Sequence, residues 1–406
     1  MQWQRLILLA VFLNLAVTAC DSGSDGGGGG GNDDGGGDDV AQRACGDADE
    51  NGVVTCTVDA IAQDTHVHFD FDSGEVVALS DAEASDSEAW DIAFRRYFLM
   101  LNGGASGPGS VGGALSVAQD DFYAEGGEPD ASVFTNATPE SEYEHLTGEL
   151  PAVEDWVTDS VTTAFDVGVE RGPTTYDYGW YRYDVTTGNI SANPDNGWLL
   201  RSGEGDSYAR MRVTAIDFPT RAGNGIQSFE IAFDVQPAGT QQLSGTATFT
   251  GSVPGEGGEV CFDFDADENV DCTGTAWDLK VAFVGRDFHL RTNSGPSGDG
   301  DGGALGPSEW SELSAYPSAT TSGDGGSLTS LYVADTTGGI FADSSWYAYG
   351  VAGGHLLWPN YRVYTVATDT GDDAAPRYAL QLIDYYDESG ETSGTVTFRY
   401  RPLSAE

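Results

Sequence analysis

Apolar and polar residues alternate with a period of two through much of the chain. In residues 66–72 (HVHFDFD), Val67, Phe69 and Phe71 fall on one side while His66, His68, Asp70 and Asp72 fall on the other, as in a strand with one buried face. Residues 208–216 (YARMRVTAI) and 361–366 (YRVYTV) carry the same strand character. Turns are expected at Asp-Ser-Gly (72–74), Asn-Gly (196–197) and Glu-Ser-Gly (388–390). Only residues 140–145 read as a helix, and a short one. The pattern predicts an all-β, mostly antiparallel protein.

The pattern is also written twice. Phe69-Asp70-Phe71-Asp72 recurs as Phe262-Asp263-Phe264-Asp265, and Ala89-Trp90-Asp91-Ile92 as Ala276-Trp277-Asp278-Leu279. The glycine-rich stretch 102–115 (NGGASGPGSVGGAL) recurs as 293–305 (NSGPSGDGDGGAL). Trp180-Tyr181-Arg182-Tyr183 recurs as Trp346-Tyr347-Ala348-Tyr349, and residues 244–249 (SGTATF) as 393–398 (SGTVTF). Blocks repeating in one order indicate duplicated architecture. A boundary near residues 254–258 gives two tandem β-domains, 45–253 and 254–406.

Composition narrows the function. There are 65 Asp and Glu against 17 Lys and Arg, a formal charge of -48, which argues against nucleic acid and anionic membrane surfaces as partners. With 39% apolar residues the chain still holds enough core-forming material to fold. Arg5 precedes an apolar run from Leu6 to Val17, too short for a bilayer span, and small residues then lead into Cys20. Residues 1–19 therefore read as a lipoprotein signal peptide with Cys20 as the lipidated N-terminus, and residues 20–44, rich in Gly and Asp, as a flexible tether. The expected location is the outer membrane or cell surface of a bacterium.

Four further cysteines, Cys45, Cys56, Cys261 and Cys272, permit three pairings. The equal spacing within each pair favours Cys45 with Cys56 and Cys261 with Cys272. Both loops contain Asp-Ala-Asp-Glu-Asn. Asp47, Asp49 and Asn51 in the first, and Asp265, Asp267 and Asn269 in the second, place oxygen ligands at alternate positions as a calcium loop does. Against that, Val58 stands where the closing acid of such a loop belongs, and Val270 stands in place of its glycine.

No nucleophile elbow, zinc-protease helix or Cys-x-x-Cys pair occurs, so no enzyme is expected. Gly107-Pro-Gly109-Ser-Val-Gly112 matches a dinucleotide fingerprint literally, but lacks the flanking strand and helix; a glycine hinge explains it better. His66-x-His68 could hold a metal or line the wet face of a strand.

Residues 57–77 (TVDAIAQDTHVHFDFDSGEVV), 90–102 (WDIAFRRYFLMLN) and the glycine block resemble the HmuY family of bacterial haem-binding lipoproteins. In the second copy the resemblance runs through Trp277-Asp278, residues 293–305, 378–386 (YALQLIDYY) and 393–400. It implies an all-β haemophore that captures haem outside the cell and passes it to an outer-membrane transporter, without chemistry on the ligand. The resemblance implies two axial side chains on haem, and the position of the later one falls near Val185 in the first copy and near Val351 in the second, neither of which can bind iron. His145, upstream of Trp180, and His355, just after Trp346, are the remaining candidates for haem contact. The competing expectation is a surface interaction module that has lost haem binding.

Overall fold

The computed structural model describes residues 44–218, 225–284, 287–387, 389–390 and 392–404. The signal segment, Cys20, the tether up to residue 43 and Glu388 of the third expected turn lie outside them.

The fold is all-β and antiparallel, as the alternation predicts, but the chain divides differently from the expected tandem domains. Of the described residues, one compact unit holds 161–336 and the other joins 44–160 with 337–404. They are called here the continuous and the split unit.

In the continuous unit a five-stranded sheet runs in the order Gly245–Val253, Ile226–Gln236, Tyr208–Asp217, Asn196–Arg201, Gly303–Glu309. A four-stranded sheet follows the order Glu268–Val270, Gly258–Asp263, Leu279–Val284, Asp287–Thr292. Alternation within Gly245–Val253 buries Ala247, Phe249 and Val253 and leaves three threonines in solvent. Phe249 stacks on Phe262 of the second sheet at 4.8 Å, and Phe233 lies 5.5 Å from the same ring. Each buried ring contributes roughly 1.5–3 kcal/mol, so this aromatic layer holds the two sheets together.

The split unit repeats the plan. Its six-stranded sheet runs Ala44–Cys45, Val54–Asp59, Ser393–Leu403, Arg377–Tyr386, Val363–Ala367, Gly112–Val117. Its four-stranded sheet runs Glu75–Val77, Val67–Asp70, Ile92–Arg95, Phe98–Leu101. Phe398 takes the central place in the core, 5.2 Å from Phe69 and 5.0 Å from Phe94. Val363–Ala367 is buried on both faces, Tyr364 and Val366 toward this core and Val363 against Leu146 and Ala379.

The two sheets match strand for strand, and the match shows what was exchanged. Gly303–Glu309 pairs with Asn196–Arg201 as Gly112–Val117 pairs with Val363–Ala367. Gly245–Val253 pairs with Ile226–Gln236 as Val54–Asp59 pairs with Ser393–Leu403. Each unit is therefore built from the first half of one repeat and the second half of the other. Residues 244–249 accordingly match residues 51–56 rather than 393–398: Thr55 precedes Phe69 by fourteen residues (69 − 55) as Thr248 precedes Phe262 (262 − 248).

Three local expectations change as well. Asn196-Gly197 opens a strand instead of making a turn, with Asn196 opposite Glu309. The helix sits at Tyr143–Thr147, and further short helices include Asp81–Ala84 and Ala131–Asn136. Both expected disulfides form, but at unlike places: Cys45–Cys56 ties an edge strand to its neighbour, whereas Cys261–Cys272 ties a strand to the segment beyond its hairpin partner.

The division predicts that a fragment comprising residues 161–336 folds alone, with a cooperative thermal transition and native near-ultraviolet circular dichroism. Residues 45–253, which hold one sequence copy but half of each unit, are expected to show neither. Cooperative folding of the second fragment alone would overturn the division.

Candidate functional site

The repeated sequence blocks prove to be framework. Asn293 donates from Nδ2 to the Trp277 carbonyl (2.7 Å) and the Gly274 carbonyl (3.0 Å), while its Oδ1 accepts from the Gly300 N–H at 3.0 Å. Asn102 does the same with Trp90 (2.7 Å), Ser87 (2.9 Å) and Gly109 (3.1 Å). The glycine-rich loop wraps this side chain so closely that a Cβ at Gly298 would stand 2.1 Å from Asn293 Oδ1, and one at Gly107 equally near Asn102 Oδ1. The loop closes on an amide, not on a phosphate.

The aspartate after each tryptophan is a second strap. Asp278 is buried; its Oδ1 accepts from the Gly203 N–H (2.7 Å) and its Oδ2 from Phe264 N–H (2.9 Å). Asp91 accepts from Phe71 N–H at 2.8 Å. Burial raises Asp278 to about 8 and Asp91 to about 7, with the neighbouring Asp263 and Asp265, or Asp70 and Asp72, adding to the effect. Sequence reasoning missed a third pair, Asp159 and Asp335, which follow Val157 and Val333. Asp159 accepts from Leu101 N–H and Ser106 Oγ, and Asp335 from Thr292 N–H and Oγ1. Burial raises each to about 6.

On this frame the split unit carries an open cleft of about 750 Å³. Tyr123, Pro129, Tyr347, Ala348 and Tyr349 form its walls, Arg362 supplies a cation, and Asp120, Glu125 and Asp343 supply acids. Arg362 is fixed by bonds from Nε to the Ala118 carbonyl and from Nη1 to the Ser345 carbonyl, both 2.9 Å, and lies 5.2 Å from the Tyr123 ring. Phe122, Phe134, Ala348 and Tyr361 form a small apolar cluster beside it.

One wall is the hairpin Tyr347–Tyr349 with Leu357–Pro359. Gly353 and Gly354 take φ of 84° and 74° in its turn and present His355, whose Nδ1 bonds Tyr349 Oη at 2.7 Å. Nε2 of that exposed ring is thereby directed away from the tyrosine. His145 stands elsewhere: it belongs to the helix Tyr143–Thr147, its Nε2 lies 3.4 Å from Glu142, and it is not among the residues lining the cleft. The two histidines are not brought together at that cleft.

The acidic loops give calcium no support. Asp49 Oδ1 accepts from Asn51 and Val53 N–H groups and Oδ2 from Tyr143 Oη, while Asp47 stays exposed. Asp267 accepts from Thr248 N–H at 2.8 Å, Asn269 donates to the Thr250 carbonyl at 3.0 Å, and Asp265 accepts from Ser207 Oγ. The oxygens that alternate in sequence serve different backbone partners, so the two expected calcium sets are not assembled. Among the described residues, Asp263, Asp265 and Asp278 bring three carboxylate oxygens within 4.8 Å of one another.

An all-β frame bearing a cleft of aromatic rings and one guanidinium has the makings of a small-ligand site. Residues 62–230, somewhat under half of the chain, match the family model described as HmuY protein. The segment itself is shared between the units, 62–160 in the split unit and 161–230 in the continuous one. No curated protein matches. Among solved structures, a HmuY-like heme binding protein from Bacteroides vulgatus aligns at 12% identity over 87% of this chain and 94% of its own, with a TM-score of 0.29. A lipoprotein from Bacteroides fragilis aligns at 11% identity over 87% and 90%, with a TM-score of 0.28. Superpositions at this level carry no functional argument.

The four buried aspartates set a pH dependence. Their folded-state values, about 6 to 8, stand above the ordinary 3.8, so between roughly pH 4 and 8 the folded chain holds more protons than the unfolded one. Unfolding free energy should therefore fall as pH rises through that window and level off above it. Urea denaturation at pH 4.5, 6 and 8 checks this, and Asp278→Asn should flatten the part of the decline nearest pH 8. A stability that rises from pH 4.5 to 8 would contradict the assignment.

Proposed function

We propose that the protein is a lipid-anchored extracytoplasmic binding protein that captures haem or a related porphyrin in the cleft of the split unit. It then passes the ligand, chemically unchanged, to an outer-membrane transporter. The observation that carries this reading is the cleft edged by Tyr347 and Tyr349; His355 does not line it but is bonded through Nδ1 to the lining residue Tyr349. The family resemblance adds the ligand class. Tyrosine walls suit a flat macrocycle, and Arg362 suits a carboxylate on its edge. Asp120, Glu125 and Asp343 at the same cleft oppose further anionic groups, which fits weak rather than tight capture.

When bound, haem would supply an iron centre that takes one imidazole. The chain's own part is to stack, orient and partly shield the ring. A second reading, a surface interaction module without haem, is favoured by the continuous unit: its corresponding Tyr181–Asp184 hairpin ends in Val185, Thr186, Thr187 and Gly188 and has no imidazole at the tip.

Haemin titration of the whole chain separates the two. The expected result is a saturable Soret shift whose position depends on pH, since a single imidazole leaves the iron five-coordinate or water-ligated. His355→Ala should move the band while changing the binding constant by less than about tenfold, because ring burial dominates affinity. No saturable shift would favour the surface module.

The anchor is tested separately. Radiolabelled fatty acid should enter the wild-type chain and not Cys20→Ser; equal labelling of both would remove the lipoprotein assignment.

A further inference from the structure

His68 is fully buried in the strand Val67–Asp70 of the split unit, and neither of its ring nitrogens has a hydrogen-bond partner. Leaving a buried imidazole unsatisfied is costly, so the position calls for a physical reason. Its surroundings suggest one. Asp81, first residue of the helix Asp81–Ala84, lies with Oδ1 3.8 Å from His68 Nε2 and Oδ2 3.1 Å from His66 Nδ1. A single carboxylate thus faces both imidazoles of the His66-x-His68 pair, whose rings are 6.2 Å apart.

The other unit supplies an independent observation. His68 pairs with Val77 across its hairpin as Cys261 pairs with Val270 across the corresponding one. Two residues beyond Val270 stands Cys272, bonded to Cys261; four residues beyond Val77 stands Asp81. Where the continuous unit has a covalent clip from strand to following segment, the split unit has two imidazoles facing a carboxylate.

We propose that His66, His68 and Asp81 bind one divalent transition-metal ion of the zinc type, which clips the split unit where a disulfide clips the continuous one. Two nitrogens and a carboxylate oxygen are a borderline donor set that selects such an ion over calcium or magnesium. Ligands about 2.0–2.1 Å from a tetrahedral ion stand roughly 3.3 Å apart; Asp81 already approaches that spacing to each imidazole through a different oxygen, Oδ2 at 3.1 Å from His66 Nδ1 and Oδ1 at 3.8 Å from His68 Nε2. His66, whose side chain is 14% exposed, closes the spacing between the two imidazoles by turning about its side-chain bonds. Asp81, 39% exposed, leaves an entry path and room for water as fourth ligand. The carboxylate cluster of Asp263, Asp265 and Asp278 is all-oxygen and has both oxygens of Asp278 bonded to backbone N–H groups, whereas Asp81 has one oxygen so engaged, Oδ1 accepting from the His66 N–H at 3.1 Å.

The test uses the whole chain and cobalt(II) as a spectroscopic probe, followed by zinc competition. One equivalent of cobalt should give the intense visible bands of a tetrahedral site, and zinc should bleach them. Asp81→Asn preserves shape, and the helix cap rests on Ser80 and Glu83 instead, so this variant should fold normally by near-ultraviolet circular dichroism yet lose at least tenfold in zinc affinity. His66→Gln should behave alike. Asp263→Asn, which alters the carboxylate cluster, should leave the bands unchanged. Only weak octahedral bands, or bands untouched by Asp81→Asn and His66→Gln, would overturn the proposal and assign the cobalt to the general acidic surface.

Discussion

One buried amide governs each half of this architecture. Asn102 and Asn293 reach across to the carbonyl of the tryptophan just ahead of the neighbouring strand and simultaneously accept from the loop that follows them. Because the interior offers no water to replace these bonds, the loop must come to the side chain, and it can do so only where no Cβ intervenes. Glycine at these positions follows from that requirement. The Trp-Asp pair is then held at a fixed distance from the Phe-Asp-Phe-Asp turn, so the aspartate can strap it through backbone N–H groups.

What was legible in the sequence was whatever depends on neighbours along the chain. Alternation in residues 66–72 announced the strand Val67–Asp70, and spacing alone identified both disulfides. What was illegible depends on partners far away. Two repeats of the same half carry equivalent ladder edges and equivalent aromatic faces, so nothing local in Val54–Asp59 states that its neighbour will be Ser393–Leu403 instead of Ile226–Gln236. The cleft was hidden for a similar reason: Tyr123 and Arg362 are far apart in sequence and carry no motif, although an arginine in so acidic a chain was a usable signal. The aspartate-rich turns misled because Asx turns and calcium loops draw on the same residues at the same spacing.

The high acidity takes on a structural meaning beside these straps. A chain with a formal charge of -48 repels itself, and Asp91 and Asp278 are buried where further negative charge already accumulates. Protonation within the fold relieves that repulsion at the points where the backbone is tied down. Surface carboxylates and interior carboxylates thus act in opposite senses: the first keep the molecule soluble, and the second tie its turns together at the cost of a sensitivity to alkali.

The exchanged halves impose an order on biogenesis. As the chain is made from its N-terminus, the strands at 54–117 emerge first, yet their sheet lacks its three central members until residues 363–403 arrive. The segment 161–336 holds all of its own partners and can close while the earlier strands wait. Through that interval the waiting edge is open to any other strand, including one from a neighbouring copy. A ribosome stalled or a protease acting near residue 340 would therefore leave the second-made portion of the molecule sound and the first-made portion without a fold.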